Sequence, residues 1–210
     1  MKLYGFPPTR SIRVLWTLRE LDVEFEFVNV DPTKGEHRRP EFLAVNPAGK
    51  LPVLVDGDFI LTESVAIVLY LAEKYPEKGL LPGGLRARAE VNRWLLFSAT
   101  ELEQPLWRIT RHTSLYPPEK RLAAEIPIAR QDFLDMAAVL EKHMDGRQFL
   151  VGDNVTVADF VAAYTLDMAA VLEKYMLLDN LPRLREFMER MYKRPNAPPR
   201  IAEAFASLRR

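Results

Sequence analysis

Two short stretches of this chain place small hydroxyls and basic groups at predicted helix starts. In the first, Thr9-Arg10-Ser11-Ile12-Arg13 opens a helix. The N–H groups and dipole of a helix N-terminus favour negative charge. A hydroxyl at Thr9 or Ser11 adds a directed donor, and Arg10 and Arg13 add positive charge. The second stretch is Glu63-Ser64, at the start of a later helix. There Ser64 can cap the first turn and leave N–H groups free to meet an anion. Cysteine is absent, which excludes disulfides, thiolate metal sites and a cysteine nucleophile on the protein. Any thiol has to arrive with a ligand. His37, His112 and His143 lack metal-ligand spacing, so no structural metal is expected.

These groups need a frame. Lys2–Phe6 reads as a strand ended by Pro7-Pro8, because proline cannot stay in a ladder. A helix follows from Ser11 to about Leu21, with Val14, Leu15, Leu18 and Leu21 on one face. Residues 25–30 alternate as a half-buried strand, which completes a βαβ unit with parallel strands. The connection from Asp31 to Val45 is polar and is expected to hold an irregular helix. Strands at Pro52–Val55 and Phe59–Leu61 flank an Asp56-Gly57 turn, a strong hairpin signal. A helix from Ser64 then buries Val65, Val68, Leu69 and Ala72. Pro52 opens its strand, where a cis bond fits.

Prolines and glycines between Pro76 and Gly84 break the chain. The expected organisation is a domain over 1–75, a linker over 76–84 and an all-helical domain over 85–210. A helix over 85–111, with Val91, Trp94, Leu95 and Leu102 inward, should kink at Pro105. A second should run from after Pro118 to about His143, bent early by Pro127, with Phe133, Met136, Ala137 and Leu140 inward. Thr156-Val-Ala-Asp159 is a capping-box pattern before an apolar helix, and further helices are expected at Leu181–Tyr192 and Pro199–Leu208.

The 210 residues are 48% hydrophobic and 28% charged, ordinary for a globular chain. Lys+Arg and Asp+Glu balance at 29 each, so no nucleic-acid footprint is expected. No apolar run approaches a membrane span, and Met1 leads straight into a strand. A cytoplasmic protein with no membrane partner is the expectation.

The run Asn46-Pro-Ala-Gly-Lys50-Leu51-Pro52, followed by strand, turn, strand and Glu63-Ser64, resembles the glutathione site of the cytosolic glutathione S-transferase superfamily. That site has the pattern N-P-x-G-x-[VL]-P…E-S. The likeness extends to the phi- and theta-like members that use serine or threonine. It is carried further by GEHRRPEF around His37 and by F-L-V-G-D ahead of the T-x-x-D box. It implies a thioredoxin-like N-terminal α/β domain (βαβ followed by ββα) and an all-α C-terminal domain. It also implies that Pro52 is cis and that the Leu51 backbone pairs with the cysteinyl part of glutathione. Glu63 and Ser64 would hold the γ-glutamyl end, and Lys50 and His37 the glycyl carboxylate. Phi-type members have a Pro-x-Ser loop whose serine donates to the sulfur; here Thr9 stands in the serine's place, with Ser11 second. Ser11 has another use as the N-cap of a helix from Ile12, and His37 as a solvated loop residue. An acceptor pocket between the domains would draw on Trp107, Arg108, Arg111 and Tyr116.

The implied activity is conjugation of glutathione thiolate to electrophilic small molecules, in a homodimer serving detoxification. Peroxidase activity would use the same thiolate. Two alternatives stand beside it. A glutathione-dependent isomerase of the maleylacetoacetate type is disfavoured, because its Ser-Ser-Cys motif is replaced by Pro7-Pro8-Thr9-Arg10-Ser11. A non-catalytic binding module is disfavoured by the presence of Lys50, Leu51, Pro52, Glu63 and Ser64 together.

Overall fold

The computed structural model describes residues 1–175 and 177–208. Contacts divide them into two compact units, Met1–Pro82 with Tyr192–Arg210, and Gly83–Met191. The C-terminal segment from Tyr192 thus counts with the first unit by its contacts, apart from the rest of the helical domain expected over 85–210.

In the first unit, β1 (Lys2–Gly5), α1 (Ser11–Leu21) and β2 (Glu26–Asn29) form the expected βαβ motif. Two 3₁₀ turns (Pro32–Lys34 and Glu36–Arg38) and a short α2 (Pro40–Val45) fill the polar connection. Then come β3 (Val53–Asp56), β4 (Phe59–Thr62) and α3 (Ser64–Lys74). The sheet order is β2-β1-β3-β4, with β1 parallel to β2 and antiparallel to β3. This is the thioredoxin-like arrangement. The hairpin register pairs Asp56 with Phe59, so the two-residue loop is Gly57-Asp58 rather than Asp56-Gly57. Asp56 is kept in the ladder and takes the Tyr70 hydroxyl at 2.6 Å and the Lys74 ammonium, tying the hairpin to α3.

Val14, Leu18 and Leu21 of α1 are buried as expected and Leu15 is half-buried, while Ile12 and Trp16 are buried on the other side of the helix. Its first turn sits unusually close to the sheet. A Cβ on Gly5 would lie 2.9 Å from Ser11 Cβ and 3.0 Å from the Phe27 ring. Only glycine allows that approach.

The C-terminal segment is fastened to the other end of α1. Arg194 donates from Nε and Nη2 to the two Glu20 carboxylate oxygens, both at 2.8 Å, and Trp16 Nε1 adds a bond at 3.2 Å. Tyr192 packs on the Trp16 ring at 4.9 Å. Bidentate charge-assisted pairs are among the stronger hydrogen bonds, and the Glu20 side chain is only 8% exposed. Glu20→Ala is expected to lower stability by about 2 kcal/mol, allowing for the partial exposure of Arg194. Urea unfolding with an unchanged midpoint would mean that the segment is held by other contacts.

The second unit is helical throughout its described residues: α4 (Leu85–Leu96), α5 (Glu103–Thr110), α6 (Glu125–His143), α7 (Val157–Val171) and α8 (Pro182–Tyr192). Every residue of α7 from Val157 to Ala169 is buried, the mark of a helix with neighbours on all sides. Val91, Trp94, Leu95 and Leu102 are buried as expected. The expected kink at Pro105 takes the form of a π-helical turn over Phe97–Leu102. Pro105 has no N–H for the Glu101 carbonyl and its ring crowds that group, so the preceding turn widens. α6 starts at Glu125, later than expected, which puts Pro127 in the first turn, where a missing N–H costs nothing. The last helix, α9 (Ile201–Ser207), belongs to the first unit.

Candidate active site

The loop ahead of β3 is shaped by Asn46, which is 4% exposed. Its Nδ2 donates to the Lys50 carbonyl at 2.9 Å and its Oδ1 accepts from Ala48 N–H at 3.1 Å. Gly49 completes the turn at φ 61°, and a Cβ there would lie 2.9 Å from the His37 carbonyl oxygen. No other residue fits. The Leu51–Pro52 peptide bond is cis.

At the far end of the hairpin, Glu63 has φ 66° and ψ 112°, an uncommon backbone state for a residue with a side chain. Glu63 occupies the N-cap position of α3 without a side-chain capping bond, and Ser64 is the first helical residue. The expectation that Ser64 caps the helix is therefore corrected. Its hydroxyl is turned to the interior instead, where Ser64 Oγ accepts from Arg13 Nη1 at 3.2 Å.

Between these two loops lies a cavity of about 190 Å³, lined by Arg10, Asn46, Ala48, Lys50, Leu51, Pro52, Thr62, Glu63 and Ser64. It brings together Lys50, Leu51, Pro52, Glu63 and Ser64 from the sequence reading. Asn46, Ala48 and Thr62 join them, as does Arg10, which was expected only as positive charge at the α1 start. Asn46 and Ala48 could have been found inside the Asn46–Pro52 pattern, and Thr62 from its place just before Glu63. For Arg10 the signal was its charge at the α1 start. A backbone-lined cleft with a basic side chain and a helix N-terminus suits an extended, acidic peptide-like ligand.

Thr9, Ser11 and His37 are outside this lining. Thr9 is half-buried; its Oγ1 donates to the Phe6 carbonyl at 2.7 Å and accepts from Ser11 N–H at 3.3 Å. Ser11 is 1% exposed. Its Oγ accepts from Phe6 N–H at 3.1 Å and lies 2.8 Å from Thr9 Oγ1. Since the Thr9 proton is engaged with Phe6, the Ser11 hydroxyl gives its own to Thr9. Ser11 is no N-cap: α1 begins at Ser11 itself, after Arg10. For His37, burial and the neighbouring Arg38 and Lys50 charges push the imidazole below its usual range, so it is neutral at pH 7.

In the second unit, Arg108 is held by Glu125 Oε2, at 3.1 Å from Nε and 3.0 Å from Nη2, and by Asp132. Its charge is thus already matched. Trp107, Arg111 and Tyr116 are half-buried, and the Tyr116 ring meets His112 edge-on at 5.3 Å. Among the described residues no group of three or more His, Asp or Glu side chains could hold a metal, and no helix is long and apolar enough to cross a membrane.

Comparison with known proteins identifies a family. Residues 1–73 match the model of the glutathione S-transferase N-terminal domain, and residues 105–195 that of the C-terminal domain. Glutathione S-transferase F10 of Arabidopsis thaliana is 41% identical over 154 residues, covering 71% of each chain. A glutathione S-transferase structure from Xylella fastidiosa superposes with a TM-score of 0.82 at 30% identity, over 98% of this chain and 97% of that one. A family member from Pseudomonas fluorescens, solved with two glutathione bound, gives 0.85 at 25% identity over 97% and 91%. With both domain models matched in order and a curated relative aligned across most of its length, this chain belongs to the glutathione S-transferase family.

Proposed function

We propose that this chain is a glutathione transferase that seats glutathione in the cavity between the Lys50–Pro52 and Thr62–Ser64 loops. The observation that carries the reading is that one cleft joins Leu51, just ahead of β3, the basic Lys50, and the α3 start at Glu63-Ser64. Leu51 pairs through its main chain with the cysteinyl residue, a one-residue strand addition. Glu63 receives the γ-glutamyl ammonium and Ser64 its carboxylate. Lys50 and the neutral His37 meet the glycyl carboxylate.

A thiol of pKa about 8.5 is only a few per cent ionised at neutral pH. The α1 N-terminus and the Thr9 hydroxyl, with Ser11 supporting it, favour the thiolate. The thiolate then attacks the electrophile and forms the S–C bond, while the thiol proton passes to solvent and the leaving group departs. The protein supplies positioning and electrostatics. Trp107, Arg111 and Tyr116 are the acceptor-side candidates, with Arg108 fixing α5 to α6 beside them. The reading carries with it a cytoplasmic homodimer acting in detoxification, and the balanced charge of the chain is compatible with that setting.

A glutathione titration followed by heat and by thiolate ultraviolet absorbance tests this reading. Saturable binding with a thiolate signal at pH 7 is expected. Binding without the signal would exclude thiolate activation, and no binding would point to a module that kept only the fold. The same thiolate should reduce cumene hydroperoxide, and turnover equal to the uncatalysed rate would remove the peroxidase activity.

A further inference from the structure

α5 does not stop at Thr110. It runs on as a second π-helical turn over Arg111–Leu115, and Tyr116 leaves that turn extended, with its N–H on the Arg111 carbonyl at 2.9 Å. Turns of this kind are rare and recur at functional sites. This one ends on Tyr116, an acceptor-side candidate. Pro117-Pro118 and a 3₁₀ turn over Pro118–Lys120 then fold the chain back. Arg121 and His112 fasten the returning segment to the π-helical turn. Arg121 donates from Nε to the Tyr116 carbonyl at 2.7 Å and from Nη2 to the Ser114 carbonyl at 3.1 Å. Leu122 N–H donates to His112 Nδ1 at 3.0 Å.

The bond to His112 has a chemical condition that the others lack. A backbone N–H can only donate, so Nδ1 accepts, which fixes a neutral imidazole with its proton on Nε2. An imidazolium carries a proton on both nitrogens and accepts nothing. Proton uptake by His112 therefore removes the acceptor and sets two N–H groups against each other. Arg121 keeps its charge and its donors throughout. Among the charged groups of the packed segments, Arg108 is matched by Glu125 and Asp132, and Arg121 is spent on the two carbonyls. Arg111, Tyr116, Glu119 and Lys120 are the other groups there that carry or can take a charge. The imidazole that would let go of Leu122 is also the one that meets the Tyr116 ring edge-on at 5.3 Å.

We propose that His112 is a positioning residue for Tyr116: in its neutral form it latches the segment 116–122 onto the π-helical turn, and protonation releases the latch and loosens the acceptor side. This rests on the reading of Tyr116 as an acceptor-side residue of a glutathione transferase. His112 acts through Tyr116. The glutathione cavity is untouched, since none of its lining residues lies on α5 or the segment after it.

The test is steady-state conjugation of glutathione to an activated aryl chloride, chlorodinitrobenzene, with KM for each substrate measured from pH ~8 to ~5.5, where histidine changes charge. Wild type, His112→Asn and His112→Phe are compared at each pH, so that ionisation of the thiol itself cancels. Wild-type KM for the aryl chloride should rise about fivefold towards the acid end, the worth of one hydrogen bond. His112→Asn offers an amide oxygen in place of Nδ1 and does not titrate, so it should hold that KM flat. His112→Phe has no acceptor and should show the raised KM at every pH. KM for glutathione should be the same in all three. A wild-type rise that persists unchanged in His112→Asn overturns the proposal, and so does a KM in His112→Phe that matches the wild type at the alkaline end. The latch is also read without substrate. Exchange of the Leu122 amide proton should be faster in His112→Phe than in the wild type at the alkaline end and equal in the two at the acid end; equal rates at both ends overturn the latch. A protein with the expected exchange but no conjugation defeats the transferase reading. Tyr116→Ala with an unchanged KM for the aryl chloride defeats the acceptor-side reading. Either result removes the positioning role while the latch stays visible in the exchange, so a failed latch is told apart from a failed site.

Discussion

Thr9→Ala is expected to bind glutathione within a few-fold of the wild type and to lose about 100-fold in kcat/KM, the cost of removing one preorganised donor from a developing or stabilised anion. The thiolate absorbance of the bound complex at pH 7 should fall with it, and the pH at which half the bound thiol ionises should rise. The Thr9 hydroxyl reaches the sulfur by turning its proton away from the Phe6 carbonyl, which it holds at 2.7 Å in the unliganded protein. Ser11 is placed to assist, since its hydroxyl lies 2.8 Å from Thr9 Oγ1 and is itself buried. Ser11→Ala should therefore raise the thiol pKa less than Thr9→Ala does. It should destabilise the fold more, because it leaves the Phe6 N–H without its side-chain acceptor. Thr9→Ser should keep the activity. Loss of the thiolate signal in Ser11→Ala but not in Thr9→Ala would exchange the two roles.

The second large effect concerns folding. Asp159→Ala should lower stability by about 3 kcal/mol, from two buried N–H groups losing their acceptor. The Asp159 carboxylate accepts from Thr156 N–H and from Leu150 N–H, both at 2.8 Å. Thr156 and Asp159 close the expected capping box at the start of α7. The bond to Leu150 does more, because it fixes the segment before the helix, whose Leu150 carbonyl is also held by His143 Nε2 at 2.9 Å. Thr156→Ala, which spares that link, should cost only about 1 kcal/mol.

Burial pushes the Asp159 carboxyl up to about 6, against the opposing pull of the Leu150 and Thr156 donors. An unfolded aspartate titrates near ~3.9. As the pH falls, the folded state therefore takes up this proton first. The contribution of Asp159 to stability rises between pH ~6 and ~4, and above pH ~6 that gain is absent. Other carboxylates titrate over the same range, so the useful quantity is the difference between wild type and Asp159→Asn. From pH 7 to pH 4.5 it should move in favour of the wild type by on the order of 2 kcal/mol. A difference that stays flat in denaturant titrations would show that the carboxyl keeps its ordinary range.

Much of this protein was legible before any coordinates. The bounds of α1 and α3, the hairpin between β3 and β4, the capping box of α7 and the break after Tyr75 all follow from patterns a few residues long. Helical spacing, turn chemistry and proline's missing donor act within one or two turns of chain, so the residues that cause them are adjacent in sequence. The Asn46–Pro52 and Glu63-Ser64 pattern is local in the same sense, and the cavity it lines lies where those loops meet. Where local rules misjudged an element, the error was one of register. The hairpin loop moved by one residue, and α6 began late enough to make Pro127 harmless.

What only the tertiary structure decided is which side chains are turned inward and what they meet there. Thr9 and Ser11 are equivalent in composition, and the absence of a Cβ at Gly5 draws Ser11 against the sheet and leaves Thr9 nearer the surface. The hydroxyl of Ser64, read locally as a helix cap, belongs to Arg13 51 residues away. Glu20 is matched by Arg194 across 174 residues, which joins the end of the chain to the first unit. Buried polar groups must find partners wherever the fold brings one within reach. That choice depends on packing between distant segments, and no short window of sequence contains it.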